Sequence, residues 1–214
     1  MIKKPNIIFL GAPGSGKGTI AKKLVEKYEY LHLSTGDLFR ETLKHDTQLA
    51  NQIKEYVKQG KLVPDEVTNN MMKQYIINAI NNNKYFLLDG YPRTIDQAEF
   101  LKTICDIDLV IYLNISEELA TKRIIGRRSC PKCGEIYNIY FKKPIKDNIC
   151  DKCNTQLTQR KDDNEIVVKT RFQTYQFSTA PLIDYYQQQN KLLAIEVKDN
   201  TSDIFSIICN LIKK

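Results

Sequence analysis

The chain has 214 residues, 42% of them hydrophobic and 27% charged. Those fractions exclude a wholly disordered or collagen-like chain, and the length fits one domain with insertions or two small ones. Lys and Arg number 32 against 25 Asp and Glu, a formal net charge of +7, which favours anionic partners: nucleic acid, an acidic membrane surface or phosphorylated small molecules.

Met1–Leu10 begins like a leader peptide, with two lysines before Ile7-Ile8-Phe9-Leu10. The apolar run is too short for an h-region and feeds into a glycine loop, so the mature protein is expected to start near Met1, in the cytoplasm or another reducing compartment. No run of 18 apolar residues exists, which leaves no transmembrane helix expected. Asn6–Leu10 reads as a buried parallel strand. After the glycines, Ile20, Leu24 and Tyr28, with Ala21 and Val25 beside them, form the apolar face of a helix. Further buried strands are expected at Tyr30–Leu33, Tyr85–Leu88, Leu109–Leu113 and Leu192–Val197. Helices are expected between them, as at Thr68–Ile80 and Ser116–Ile125. The last is Asp203–Ile212, with Ile204, Ile208, Leu211 and Ile212 on one side. Strands alternating with helices predict an α/β fold, a parallel sheet covered on both faces. Ser34–Val63 carries helix-like patterns without a strand, and Gly126–Asp163 is a lysine-rich island with short aromatic segments such as Tyr137–Phe141. Each reads as an insertion on one core. Asn81–Asn83 reads as a surface turn.

Gly11-Ala12-Pro13-Gly14-Ser15-Gly16-Lys17-Gly18-Thr19 places GxxxxGK between a strand and a helix. Glycines let the backbone wrap a phosphate, with N–H groups and the helix N-terminus aimed at it and Lys17 on the β/γ oxygens. Gly18 stands where GTPase loops carry the magnesium-binding Ser or Thr. Tyr85–Asp89 is an apolar strand ending in a carboxylate. The carboxyl end of a parallel strand faces the ligand crevice, so Asp89 is placed to hold magnesium through water.

Four of the six cysteines form two CxxC pairs, Cys130/Cys133 and Cys150/Cys153. That spacing reads as a four-thiolate zinc site, with two disulfides as the alternative. A closed four-cysteine site leaves no position for water, so the zinc would be structural. Cys105 and Cys209 lie in apolar surroundings and are expected as buried thiols. Only His32 and His45 are present, which excludes histidine-rich metal sites.

GAPGSGKGT at Gly11–Thr19, Ser34-Thr35-Gly36-Asp37, Lys61-Leu62-Val63-Pro64-Asp65, Asp89-Gly90-Tyr91-Pro92-Arg93, Gly126-Arg127-Arg128 and Arg160-Lys161-Asp162-Asp163 resemble adenylate kinase in its long-lid form, in the family's order and over essentially the whole chain. The resemblance implies a P-loop nucleoside monophosphate kinase fold with five parallel strands and helices on both faces. It divides the chain into a core (1–33, 64–125 and 164–214), an AMP-binding insertion (34–63) and a zinc-bearing lid (126–163). It implies ATP at Gly14, Ser15, Gly16, Lys17, Gly18, Thr19, Arg123, Ile136, Tyr137 and Ser202. AMP would lie at Thr35, Arg40, Leu62, Val63, Gly90, Arg93, Gln97, Arg160 and Arg171. Lys17, Arg93, Arg127, Arg160 and Arg171 would act on the transferred phosphoryl group. Many arginines and no base suit phosphoryl transfer, where catalysis is positioning plus charge stabilisation. Family members usually have Asp-Gly before the last helix; Asp199-Asn200 stands here, and Asn tolerates the positive φ of such a turn. Similar pyrimidine monophosphate kinases tend to carry Asn directly after the arginine; Thr94 and the two-sided amide of Gln97 point to AMP instead. The implied activity is ATP + AMP to two ADP, with Mg²⁺, in a cytoplasmic monomer that binds neither nucleic acid nor membrane. A kinase using GTP or another monophosphate, and a zinc-ribbon nucleic-acid-binding protein, are the alternatives.

Overall fold

The structure is a computed structural model describing residues 4–45, 47–198 and 202–212, the last without the side chains of residues 202 and 203. Met1–Lys3 and Asp199-Asn200 lie outside the described residues. The strands are β1 (Ile7–Gly11), β2 (Leu31–Ser34), β3 (Phe86–Asp89), β4 (Leu109–Asn114), β5 (Arg127–Ser129), β6 (Ile136–Asn138) and β7 (Leu192–Glu196). The helices are α1 (Lys17–Tyr28), α2 (Thr35–Thr42), α3 (Gln48–Gln59), α4 (Asp65–Asn81), α5 (Ile95–Lys102), α6 (Glu117–Ile125), α7 (Glu165–Thr174), α8 (Pro181–Gln188) and α9 (Ser202–Ile212), with a π-helical turn, Tyr175–Thr179, between α7 and α8.

Five strands form one parallel sheet in the order β2-β3-β1-β4-β7. Successive side chains of a strand point to opposite faces, and both faces are buried here. Ile7 and Phe9 join Leu87, Ile111 and Leu113 against Ile20, Leu24, Ile204 and Ile208 of α1 and α9. Ile8 and Leu10 join Phe86, Leu88 and Val110 against Met72 and Ile76 of α4, Ala98 and Leu101 of α5, and Leu182 and Tyr186 of α8. That double burial explains why these strands read as continuous apolar runs. All five strand expectations hold, with ends shifted by one residue at most. The chain reverses its direction of winding at β1, between β3 and β4, and a ligand crevice opens at such a point beyond the strands' carboxyl ends.

Helix starts follow capping chemistry. The side chains of Ser34, Thr47, Thr94, Ser116 and Asn164 each accept a hydrogen bond from the N–H three residues on. α4 begins three residues before the expected Thr68, because Pro64 stops the preceding chain and Asp65 and Glu66 complement the helix dipole. Polar first turns carry no apolar period. In α9, Ile204, Ile208 and Ile212 are buried, but Leu211 stands at the stripe's edge and is 37% exposed. Cys209 is buried as expected. Cys105 is only half-buried, because it sits in the turn after α5 rather than on an element.

Residues 34–63 hold α2 and α3, with no strand after Ser34 among the described residues. Within 126–163, β5 and β6 pair antiparallel, Arg127 opposite Asn138 and Ser129 opposite Ile136. Bridges Ser129–Thr158 and Ile149–Gln156 add a second short finger. The buried apolar side chains there are few: Cys130, Tyr137, Cys150 and Leu157, with Cys153 packed alongside.

Candidate active site

The loop after β1 has a backbone only glycine adopts at its tightest point. Gly14 has φ +81°, and a Cβ there would lie 2.6 Å from the Ala120 carbonyl oxygen. Gly16, also left-handed, precedes α1 without giving a side-chain cap. The first N–H groups of α1 thus keep their capacity for an anion. Lys17 Nζ curls over the loop, donating to Gly11 O (2.7 Å), Ala12 O (3.0 Å) and Ser15 Oγ (3.2 Å). Burial in the cleft pushes its pKa down to about 8; Asp89 opposes this, and Arg93, Arg171 and Arg127 add to it.

Asp89, at the end of β3, faces the same loop, its Oδ2 lying 3.3 Å from where a Cβ on Gly18 would stand. A side chain at Gly18 would crowd that carboxylate. Burial alone would raise the Asp89 pKa, but the neighbouring His32, Lys17 and Arg93 hold it below the ordinary carboxylate value. His32 Nε2 lies 3.5 Å from Asp89 Oδ2.

The other side of the cleft is built on the turn after β3. Gly90, at φ +81°, leaves room for Thr35 Oγ1 and Arg93 Nη2, which would stand 2.7 and 2.8 Å from a Cβ there. Its carbonyl accepts from Thr35 Oγ1 and from Arg93 Nε, at 2.8 Å each. Gln97 is 2% exposed. Its Oε1 accepts from the Arg93 N–H (2.7 Å) and its Nε2 donates to Asp65 Oδ1 (2.7 Å).

Arg40 on α2, Arg93, Arg127 on β5, Arg160 and Arg171 on α7 all line one cavity of about 960 Å³ together with Lys17 and Asp89. That volume is near the top of the range for ligand pockets, about 300–1,000 Å³. The guanidiniums perturb one another. Burial, then Arg127 and Arg40, lower Arg160 to about 10; burial lowers Arg171 to about 10, with Arg127 and Arg93 adding to it. Acids hold the cluster in place. Asp163, its side chain wholly buried, takes Arg127 through both oxygens, and Asp162 takes Arg171 at 3.2 Å. Arg40 pairs with Asp37 at 2.6 Å.

Gly14, Gly16, Gly18, Thr19, Thr35, Leu62, Val63, Gly90, Gln97, Arg123, Ile136 and Tyr137 line this same cavity, so the structure brings nearly every sequence-nominated residue together. Ser15 lies beneath it, fully buried under Lys17. Tyr137 borders the cavity but turns its hydroxyl away, to Cys150 Sγ (3.6 Å) and the Asp151 N–H (2.8 Å). The side chain of Ser202 lies outside the described set. Sequence reasoning missed His32, Asp65, the role of Asp162 and Asp163, and Phe141. The Phe141 ring lines the cavity with Arg123 Cζ 5.8 Å from its centroid. Arg123 also donates to the Lys198 carbonyl at 2.9 Å.

The four paired cysteines converge. Their sulfurs all lie within 4.8 Å of one another, with Cys130–Cys153 at 3.4 Å and Cys133–Cys150 at 3.5 Å. These are free thiols, not disulfides. A four-thiolate tetrahedron with arms of about 2.3 Å has edges of about 3.8 Å, close to this spacing. The Cys133 N–H donates to Cys130 Sγ (3.5 Å). Burial would raise the Cys150 thiol, but the Tyr137 hydroxyl beside its sulfur and nearby backbone N–H groups hold it below the usual value, towards the thiolate form a metal requires. The cluster fits a zinc site.

A family model described as adenylate kinase matches residues 9–191. The adenylate kinase of Ureaplasma urealyticum is 45% identical over 97% of this chain and 98% of its own length. That of Malacoplasma penetrans is 45% identical with the same coverage, and that of Fervidobacterium nodosum 42% identical over 97% of each. Likeness over nearly the whole length, together with the phosphate loop and the converged arginines, shows that the chain belongs to the adenylate kinase family.

Proposed function

We propose that the chain is the phosphotransferase that moves the terminal phosphoryl group of ATP reversibly to AMP, giving two ADP. The observation that carries this is the convergence of Lys17 and six arginines from distant segments on one cleft. On this reading Gly14–Thr19, Arg123 and Ile136 hold ATP, with Tyr137 shaping the lid beneath it and Ser202 near the adenine. Thr35, Arg40, Leu62, Val63, Gly90 and Gln97 hold AMP. Lys17, Arg93, Arg127, Arg160 and Arg171 surround the transferred group, stabilising charge spread over its oxygens without forming a bond to it. The acceptor is an ionised phosphate oxygen, so no residue needs to remove a proton. Magnesium bound with ATP would neutralise charge on the β/γ phosphates, and Asp89 is placed to hold it through water. Zinc on Cys130, Cys133, Cys150 and Cys153 would be structural.

The same reading takes 34–63 as the AMP-binding insertion and 126–163 as the lid, both folding over the core to exclude water. It places the protein as a monomer in the cytoplasm, where four closely spaced thiols stay reduced. Among the described residues no helix is long and apolar enough to cross a membrane. A zinc-ribbon nucleic-acid role is disfavoured because Tyr137 is buried and the arginines face inward.

A coupled assay crossing ATP or GTP with AMP, CMP or UMP tests the proposal. ATP with AMP should exceed every other pair by at least about tenfold in kcat/KM, since one good base contact separates bases by about 1–3 kcal/mol. Equal rates with GTP or a pyrimidine monophosphate would overturn it. In the same assay Gln97→Ala should raise KM for AMP by about fivefold or more and narrow its lead over CMP, with KM for ATP little changed. Unchanged AMP kinetics would remove Gln97 from base recognition.

A further inference from the structure

Asp65 has no part in the phosphoryl transfer, yet it anchors a closed ring of hydrogen bonds behind the acceptor-base side of the cleft. Its Oδ1 accepts from Gln97 Nε2 (2.7 Å) and its Oδ2 from the Thr94 hydroxyl (2.6 Å). The Thr94 oxygen in turn accepts from the Gln97 N–H (3.1 Å), and Gln97 Oε1 accepts from the Arg93 N–H (2.7 Å). We propose that Asp65 is a specificity-determining positioning residue: by pinning the Gln97 amide in one orientation, it makes the acceptor site take a 6-aminopurine and reject a 6-oxopurine. The inference rests on the reading of Gln97 as the base-contacting residue.

The two ends of a glutamine amide have nearly the same shape and opposite hydrogen-bonding character. Rotation by a half turn about the last side-chain bond exchanges them. A 6-aminopurine offers an N6–H donor beside the N1 acceptor; a 6-oxopurine offers an O6 acceptor beside the N1–H donor. An amide free to turn satisfies both edges and distinguishes neither.

Gln97 is held from turning by groups that each have a single character. A backbone N–H can only donate, so Oε1 must face Arg93. A carboxylate can only accept, so Nε2 must face Asp65. Turning the amide would set donor against donor at Arg93 and acceptor against acceptor at Asp65. With Gln97 2% exposed, water cannot restore the lost bonds, and unmade buried hydrogen bonds are costly. Each amide atom still keeps one unused valence, an N–H and a lone pair, to present to the base in a fixed order. Thr94 completes the device by holding the second carboxylate oxygen, which stops Asp65 from rotating with the amide.

Asp65→Asn keeps the volume but replaces a pure acceptor with an amide that turns as readily as Gln97. The test measures kcat/KM for AMP and for IMP at fixed ATP, with melting temperatures, in the wild type, Asp65→Asn, Thr94→Val, Thr94→Ser and Gln97→Ala. The AMP-to-IMP ratio should fall about tenfold or more in Asp65→Asn and by a smaller factor in Thr94→Val, and return in Thr94→Ser. The change should lie in the acceptor's KM, with KM for ATP unmoved. A purely structural role would lower the melting temperature and both activities together and leave the ratio alone. A ratio within twofold of wild type in Asp65→Asn and Thr94→Val, while Gln97→Ala changes it, overturns the role of Asp65 only. An unchanged ratio in Gln97→Ala overturns the base-reading role of Gln97 and this inference with it. Thr94→Val decides the matter alone should Asp65→Asn fail to fold.

Discussion

Lys17→Met should lower turnover by about a hundredfold or more, the scale on which losing one electrostatic contact to developing charge acts. Methionine keeps much of the stem's volume and discards the ammonium that Gly11, Ala12 and Ser15 hold over the loop. The fold should survive, because the bonds lost are made by a cation that burial already disfavours. The same group should set a pH limit. Its pKa lies near 8 in the free protein, well below an ordinary lysine. The charged form binds phosphate, so kcat/KM for ATP should be at its plateau below about pH 8 and fall as pH rises through it, since kcat/KM reports the free enzyme. Steady-state kinetics of wild type and variant from pH 6 to pH 9.5, with circular dichroism, check both points. Near-normal turnover in Lys17→Met would remove the residue from the mechanism, and a wild-type profile flat to pH 9.5 would contradict its lowered pKa.

If residues 126–163 are a zinc-stapled lid, as proposed, removing the metal should cost activity through that segment's fold rather than through chemistry. The apolar cluster there consists of Cys130, Tyr137, Cys150 and Leu157 with Cys153. Two of its buried members, Cys130 and Cys150, belong to the four-cysteine cluster itself, and the Tyr137 hydroxyl adjoins the sulfur of Cys150. Without the ion, little remains to offset the ordering of the two fingers, and small segments of this kind need a staple. Metal binding supplies folding free energy on the order of 10 kcal/mol in small zinc-binding peptides. The sheet core has its own clusters on both faces. Chelation, or Cys130→Ser with Cys133→Ser, should speed hydrogen exchange through 127–158 and leave β1 and β4 protected. Activity should fall more than about tenfold as Arg127 and Arg160 lose their platform. Protein purified without chelator should carry one zinc per chain. Absence of bound metal, or exchange that rises equally in lid and core, would sink the structural-zinc reading.

The strands were legible because both faces of the sheet are buried, which leaves runs such as Ile7–Leu10 and Leu109–Leu113 with no polar interruption. The phosphate loop was legible because its glycines answer to backbone constraints local in sequence. The arginines could be named only through their surrounding motifs, since a guanidinium alone carries no sign of where it will point. The helices α5, α7 and α8 had no expectation of their own: each is short, and α7 runs into a π-helical turn that breaks the period. Asp65 and Asp163 escaped for another reason. A carboxylate's role is set by its partner, and theirs, Gln97 and Arg127, stand 32 and 36 residues away. Tyr137 was expected beside ATP on the strength of its motif; it does border the cavity, and the use of its hydroxyl by the cysteine knuckle was not legible.

Burial first, and neighbouring guanidiniums after it, lower the proton affinity of Arg93, Arg160 and Arg171: Arg40 acts on Arg93, Arg127 and Arg40 on Arg160, and Arg127 and Arg93 on Arg171. Mutual repulsion of that kind is a compressed spring. Asp162 and Asp163 relieve part of it, and bound phosphates would release the rest. Shutting the cleft therefore answers to the quantity of negative charge enclosed as well as to the fit of either base. In the proposed reaction the two substrates and the two products carry the same number of phosphate groups. The spring meets an equal load before and after transfer, so it has no preferred side of the equilibrium. A cleft tensioned in this way is suited to run in either direction, and it yields its contents only when a whole nucleotide leaves.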